Sequence, residues 1–112
     1  MEIVNWRGVS GKSYSYSVHK LPVSFNKLRD GNYIYTKLIN EVWVPIYIGQ
    51  GDLGDRISPN HHQAKCILLK GATHVHVHLS SDENARVTEA QDLLQGHSDA
   101  HKPFGCNEKE GS

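Results

Sequence analysis

The 112-residue chain lacks a charge surplus of either sign, since twelve Lys+Arg balance twelve Asp+Glu. Generic binding to a polyanion needs an excess of cations facing phosphates, so any nucleic-acid contact must be a local patch. No apolar run approaches the ~18 residues of a membrane span, and no membrane partner is expected. The opening stretch Met1–Arg7 has no basic segment followed by an apolar one, so no secretory leader is expected. Cysteine is scarce: Cys66 and Cys106 stand alone, without CxxC or zinc-finger spacing. Small disulfide scaffolds usually carry four or more, so the expectation is two reduced thiols in a cytoplasmic protein, with Cys66 in the core. What the chain does have is 38% hydrophobic residues, enough for one compact core at this length, and eight histidines.

Strand signals dominate the first half. Ile3–Trp6 and the alternating Tyr14–Val18 flank a glycine-containing turn and predict an N-terminal hairpin over 1–30. Asn32–Ile39 and Glu41–Ile48 predict a second hairpin turning at Asn40. Pro45, which has no N–H to donate, puts its strand at an edge or at a bulge. Gly49, Gly51 and Gly54 let the chain turn out of the sheet. A helical turn is expected over Asp52–Ile57, stopped by Pro59, and a modest helix over Asn60–Lys70, closed by Gly71. Thr73–Leu79 alternates cleanly, with His74, His76 and His78 on one face. Ser80 and Glu83 fit a capping box, opening a helix that buries Val87, Ala90, Leu93 and Leu94. Residues 108–112 read as a flexible tail.

Three groups of residues suggest chemistry. Tyr33 starts one strand and Tyr47 ends the next, with Arg56 nine positions further on. A hairpin can bring both phenols and the guanidinium to one end of a sheet, where a forked cation and two hydroxyl donors suit a phosphate oxyanion. Each residue taken singly reads as an ordinary strand or surface residue. Glu89 is second: a helical carboxylate beside that cleft could hold a hard cation, or could merely pair with Arg86. Third is His74, His76 and His78, where two imidazoles and another group could bind zinc. A solvent-facing or groove-facing side of a half-buried strand is the simpler reading of these three.

Taken in order, the segments Gly31-Asn32-Tyr33, Tyr47-Ile48-Gly49-Gln50, Leu53–Ile57 with Arg56, Glu89-Ala90 with Leu93-Leu94, and Pro103–Asn107 resemble the GIY-YIG endonuclease family. The resemblance covers Gly31 to Asn107. Asn32 replaces the usual Ile or Val, the spacing between the two signatures is longer than typical, and the N-terminal hairpin has no counterpart. The resemblance implies an α+β fold, a small three-stranded antiparallel sheet flanked by helices, occupying 31–107 with the N-terminal hairpin packed on it. It implies a single-metal endonuclease hydrolysing DNA, with RNA left open and Mg²⁺ or Mn²⁺ as cofactor. Carried over by position, Glu89 would hold the metal, Arg56 would neutralise the phosphoryl oxygens, Tyr47 would bond phosphate or water, and Tyr33 would be the general base. Gly49 and Asn107 would be structural or would touch phosphate.

A free tyrosine titrates near 10, so Tyr33 would need help from Lys37 on the same strand face, with His61 or His62 as the competing base. Specificity would have to come from a partner protein, a homo-oligomer, the hairpin or substrate structure, because no domain-sized segment is left over. Two alternatives stand beside this expectation. One is a nuclease-like module that only binds nucleic acid or protein. The other is a zinc protein built on His74, His76 and His78.

Overall fold

The computed structural model describes residues 2–108. The fold is α+β, with five strands in one antiparallel sheet: β1 (Ile3–Arg7), β2 (Ser13–Lys20), β3 (Asp30–Ile39), β4 (Val42–Asp52) and β5 (His74–Leu79). Their spatial order is β1-β2-β5-β3-β4. The three-stranded part expected from the sequence is β4-β3-β5. The N-terminal hairpin does not merely pack on it: β2 pairs with β5 from Ser17↔Val77 to Lys20↔His74 and extends the sheet to five strands. The correction has a simple cause. β5 would otherwise be an edge with unpaired backbone groups, and β2 satisfies them.

Both hairpin expectations hold. The β3–β4 turn is Asn40-Glu41, each with positive φ (50° and 65°), as a two-residue turn matching strand twist requires. Pro45 meets both of its conditions. β4 is an edge strand, and the β3–β4 register slips next to Pro45, where Tyr35 faces Tyr47 but Thr36 faces Pro45.

The short helix α1 (Leu53–Arg56) is capped by Asp52, whose carboxylate accepts from Gly54 N–H. Helix α2 (Ala64–Leu69) starts later than expected and buries Ile67, while Leu68 and Leu69 stay exposed. Helix α3 (Glu83–Gly96) is capped by Asp82, accepting from Asn84 N–H, and not by Ser80. Its buried residues are Arg86, Glu89, Ala90 and Leu93, with Val87 outside. The buried stripe is therefore half polar, which an apolar periodicity cannot reveal.

Two apolar layers cover the sheet. On one face Tyr33, Tyr35, Ile46, Val75 and Val77 pack with Leu53, Ile57, Ile67 and Cys106. On the other, Trp6, Tyr14, Tyr16, Ile34 and Ile48 pack with Leu93 and Ala100. Strand alternation sorts neighbouring residues of β3 into these two layers. Cys66 and Cys106 form a disulfide, against the expectation of two reduced thiols. Cys66 is only half-buried, at the edge of the core, and Cys106 is fully buried. The segment after α3 folds back over α2 and brings the sulfurs together, so the cysteine count no longer argues for a cytoplasmic protein. No helix among the described residues is long and apolar enough to cross a membrane. Of the expected tail, 109–112 lies outside the described residues.

Candidate functional site

Tyr33 and Tyr47 come together on the first face, as the two signatures imply. Their rings are stacked with centroids 6.0 Å apart. Tyr33 is 1% exposed and lies across Gly49, where a Cβ would come within 2.5 Å of its hydroxyl. Gly49 is thus a structural position that makes room for the phenol. Arg56, exposed at the end of α1, lays its side chain over Gly51, with Nε 2.9 Å from where a Cβ would stand. Its positive charge bears on Tyr33, Tyr47 and His61, pulling each toward its deprotonated form.

The loop between α1 and α2 adds both histidines. His61 is buried, and its Nε2 is 2.7 Å from the Tyr33 hydroxyl. Its Nδ1 accepts the Gln63 backbone N–H at 2.9 Å. A neutral imidazole that accepts at Nδ1 carries its proton on Nε2, so Nε2–H donates to Tyr33 Oη and leaves the phenol proton to point elsewhere. Burial, then the charges of His62 and Arg56, lower the His61 pKa to about 4. It is neutral at pH 7. His62 is exposed, stacks on His61 with centroids 4.5 Å apart, and places Nε2 3.3 Å from the Tyr47 hydroxyl.

Burial raises Tyr33 well above the ordinary phenol value, outweighing Arg56. Tyr33 therefore holds its proton at neutral pH and is a poor general base. Lys37 does not act on it: two residues along a strand already span about 6.6–6.8 Å, and Lys37 is four residues away. Of the two competing histidines, His61 has both ring nitrogens engaged within the fold, and His62 is the one open to substrate.

Glu89 is not in this cluster. It stands on α3, against the opposite face. Its Oε2 accepts from the Tyr16 hydroxyl at 2.5 Å, and His78 Nδ1 lies 2.9 Å from Oε2 and 3.0 Å from Oε1. His78 pairs across the sheet with Asn32, whose amide donates to the Arg86 carbonyl on α3, which fixes the face they share. Tyr33 pairs with Val77 and points the other way. The sheet thus separates Glu89 from both signature phenols. Glu89 is 5% exposed and both oxygens are engaged by protein groups. A Mg²⁺ or Mn²⁺ at Glu89 fits neither the donor set nor the position of the phosphate-suited groups. Among the described residues no three His, Cys, Asp or Glu are grouped to hold a metal ion.

The histidine strand is likewise dispersed. His76 is fully buried, accepts Trp6 Nε1–H at Nδ1 (2.9 Å) and has Nε2 3.2 Å from Thr36 Oγ1. Burial first, then His74 and His19, lower its pKa to about 4. His74 packs on Trp43 and His78 faces Glu89. The three share a face but have separate partners, which removes the basis for a zinc site. Asn107 is structural: its side chain accepts Ile48 N–H at 2.8 Å and donates to Ile48 O at 2.9 Å, on the outer edge of β4.

Sequence reasoning missed Tyr16 and Tyr14. Tyr16 contacts Glu89, and Tyr14 donates to Asp92 at 2.8 Å. Burial and Asp92 push Tyr14 up to about 12. The alternation of β2 marked both phenols as sharing a face, and only the β2–β5 pairing reveals what that face meets. Compared with protein-family models, curated proteins and solved structures, the chain finds no match.

Proposed function

We propose that the chain is a nucleic-acid phosphodiesterase, an endonuclease whose working groups are Tyr33, Tyr47, Arg56, His61 and His62. One observation carries this reading. Two phenols and two imidazoles lie ring to ring (Tyr33–His61 2.7 Å, Tyr47–His62 3.3 Å) beside an exposed guanidinium with no carboxylate within 4 Å among the described residues. A surface of hydrogen-bond donors around a forked cation is complementary to a phosphodiester oxyanion. The resemblance to the GIY-YIG signatures supports it, since Tyr33, Tyr47 and Arg56 occupy signature positions.

In this reading Arg56 binds the bridging phosphate and offsets charge that builds on its oxygens. Tyr33, buried and fixed by His61 Nε2–H, supports the Tyr47 ring from beneath. Tyr47 donates a second hydrogen bond, and His62 takes the proton of the attacking group. Glu89 keeps a structural role, so the metal implied by the resemblance has no assigned part in the chemistry.

The test is cleavage of plasmid DNA and of single-stranded DNA and RNA by the purified chain, beside Arg56→Ala. Losing the guanidinium is expected to lower the rate about 100-fold or more without changing the thermal midpoint. Binding in a gel shift with no product from any substrate would replace this reading with that of a module that only binds. The separation of Glu89 from the phenols is the observation that favours that second reading.

A further inference from the structure

The proposed nuclease site leaves open what attacks the phosphorus, and its groups bear on that question. Hydrolysis needs an activated water, which a hard cation on carboxylates commonly supplies. Of the described carboxylates on this face, Glu108 is held at the rim of the cluster by Lys102 Nζ at 2.8 Å and by Gln63 Nε2 at 3.3 Å, and Asp55, beside Arg56 on α1, pairs with Lys27 at 3.7 Å. Glu89, the carboxylate in the signature position, is across the sheet and bonded to Tyr16 and His78. What the face does offer is an exposed imidazole, a phenol bonded to it and a guanidinium with no carboxylate within 4 Å among the described residues. That is a base, an acid and an oxyanion partner, the full set needed when the nucleophile is built into the substrate.

We infer that the substrate is RNA, cleaved by transfer of the phosphate to the neighbouring 2′-hydroxyl. The inference rests on the nuclease reading above and specifies its substrate. Holding nucleophile and phosphorus in one molecule supplies the proximity that an enzyme must otherwise create. His62 starts with its proton on Nε2, donating to Tyr47 Oη, and its Nδ1 accepts the 2′-hydroxyl proton. The O2′–P bond forms and the P–O5′ bond breaks. Tyr47 gives its proton to the departing O5′ and is reprotonated from His62 Nε2. One proton has then moved from O2′ to O5′, no electrons are exchanged with any other reagent, and His62 is left as its other neutral tautomer. Burial raises the Tyr47 pKa, which keeps the phenol protonated and ready to donate. Arg56 holds the non-bridging oxygens throughout. The half-buried Tyr47 ring and the exposed His62 ring give an unpaired base an aromatic surface, as single-stranded RNA recognition requires.

The experiment uses the full chain in EDTA with a mixed-sequence single-stranded RNA, the DNA of the same sequence, and an RNA carrying one 2′-deoxynucleotide immediately 5′ of the mapped break. Expected are 2′,3′-cyclic phosphate and 5′-hydroxyl ends, a DNA rate lower by about 100-fold or more, and no break at the deoxy position. His62→Ala should slow RNA cleavage by about 100-fold. Its thermal midpoint, measured alongside, shows whether it is folded. Equal cleavage of DNA, 5′-phosphate ends, or a break that survives the deoxy substitution would overturn the RNA inference and leave the nuclease reading standing. No cleavage of either polymer, with or without Mg²⁺, would overturn both.

Discussion

The two faces of the sheet use the same side chains to opposite ends. On the α1–α2 face, Tyr33 and Tyr47 meet His61 and His62 beside a cation, and the rim of the cluster is open. On the α3 face, Tyr16 and His78 meet Glu89, a carboxylate that is 5% exposed. In one place the outer phenol and imidazole, Tyr47 and His62, remain accessible to a ligand above a buried pair, Tyr33 and His61. In the other the donors are consumed by the protein's own anion, which costs too much to bury unpaired. Residue type alone does not separate a cluster open to a ligand from a structural one; what matters is whether its hydrogen-bonding capacity is already used.

Several measurements would break or sharpen this contrast. The largest effect belongs to the covalent tie on the open face. Closing a loop of sequence separation 40 stabilises a fold by roughly 4 kcal/mol in the chain-entropy account. Replacing Cys66 and Cys106 with Ser should lower the unfolding free energy by that amount, read from denaturant titrations, and a wild-type midpoint insensitive to reductant would contradict the tie. Arg56→Ala should remove about 3 kcal/mol of transition-state stabilisation, read as the cleavage rate, with almost none from the fold. Glu89→Ala should do the reverse. It leaves the Tyr16 hydroxyl buried without its acceptor and costs about 1–3 kcal/mol of stability, while the folded fraction keeps its rate. Full stability with abolished cleavage in Glu89→Ala would erase the distinction between the faces.

Acid should weaken both faces. His61 and His76 titrate near 4 in the fold against an ordinary value of about 6.5. Between those values the unfolded chain binds protons that the folded one refuses, so this stability is fully present above about pH 6.5 and declines as pH falls toward 4. Urea midpoints across that range check it, and a flat profile would contradict the neutral state of both rings. The smallest effect is Trp6→Phe, which removes one donor from buried His76 Nδ1 and should cost about 1 kcal/mol.

Much of the fold was legible in local pattern. The Asn40 turn, the Pro45 irregularity, the alternation of Thr73–Leu79 and the convergence of Tyr33, Tyr47 and Arg56 all follow from short-range rules. The errors came from contacts between segments far apart in the chain. β2 joins β5 across 60 positions at Ser17↔Val77, and that pairing creates the five-stranded sheet and gives Tyr16 its place beside Glu89. The disulfide was misjudged because a count of two cysteines cannot tell that the segment after α3 returns to α2. The metal role of Glu89 rested on position in a motif. A helix places every third or fourth residue on one side, but which side of the sheet that helix covers is decided by the loop that precedes it.

The clasp on β4 has a consequence for solubility. An outer strand with free backbone groups is a template onto which a foreign strand can dock and start fibrous assembly. Here Pro45 has no hydrogen to offer, Cys106 N–H occupies the Ile46 carbonyl at 2.7 Å, and the Asn107 amide imitates a neighbouring strand at Ile48. This stretch of the outer edge of β4 is covered by the segment around Cys106 and Asn107, and the adjoining sulfur bridge keeps that cover from peeling away.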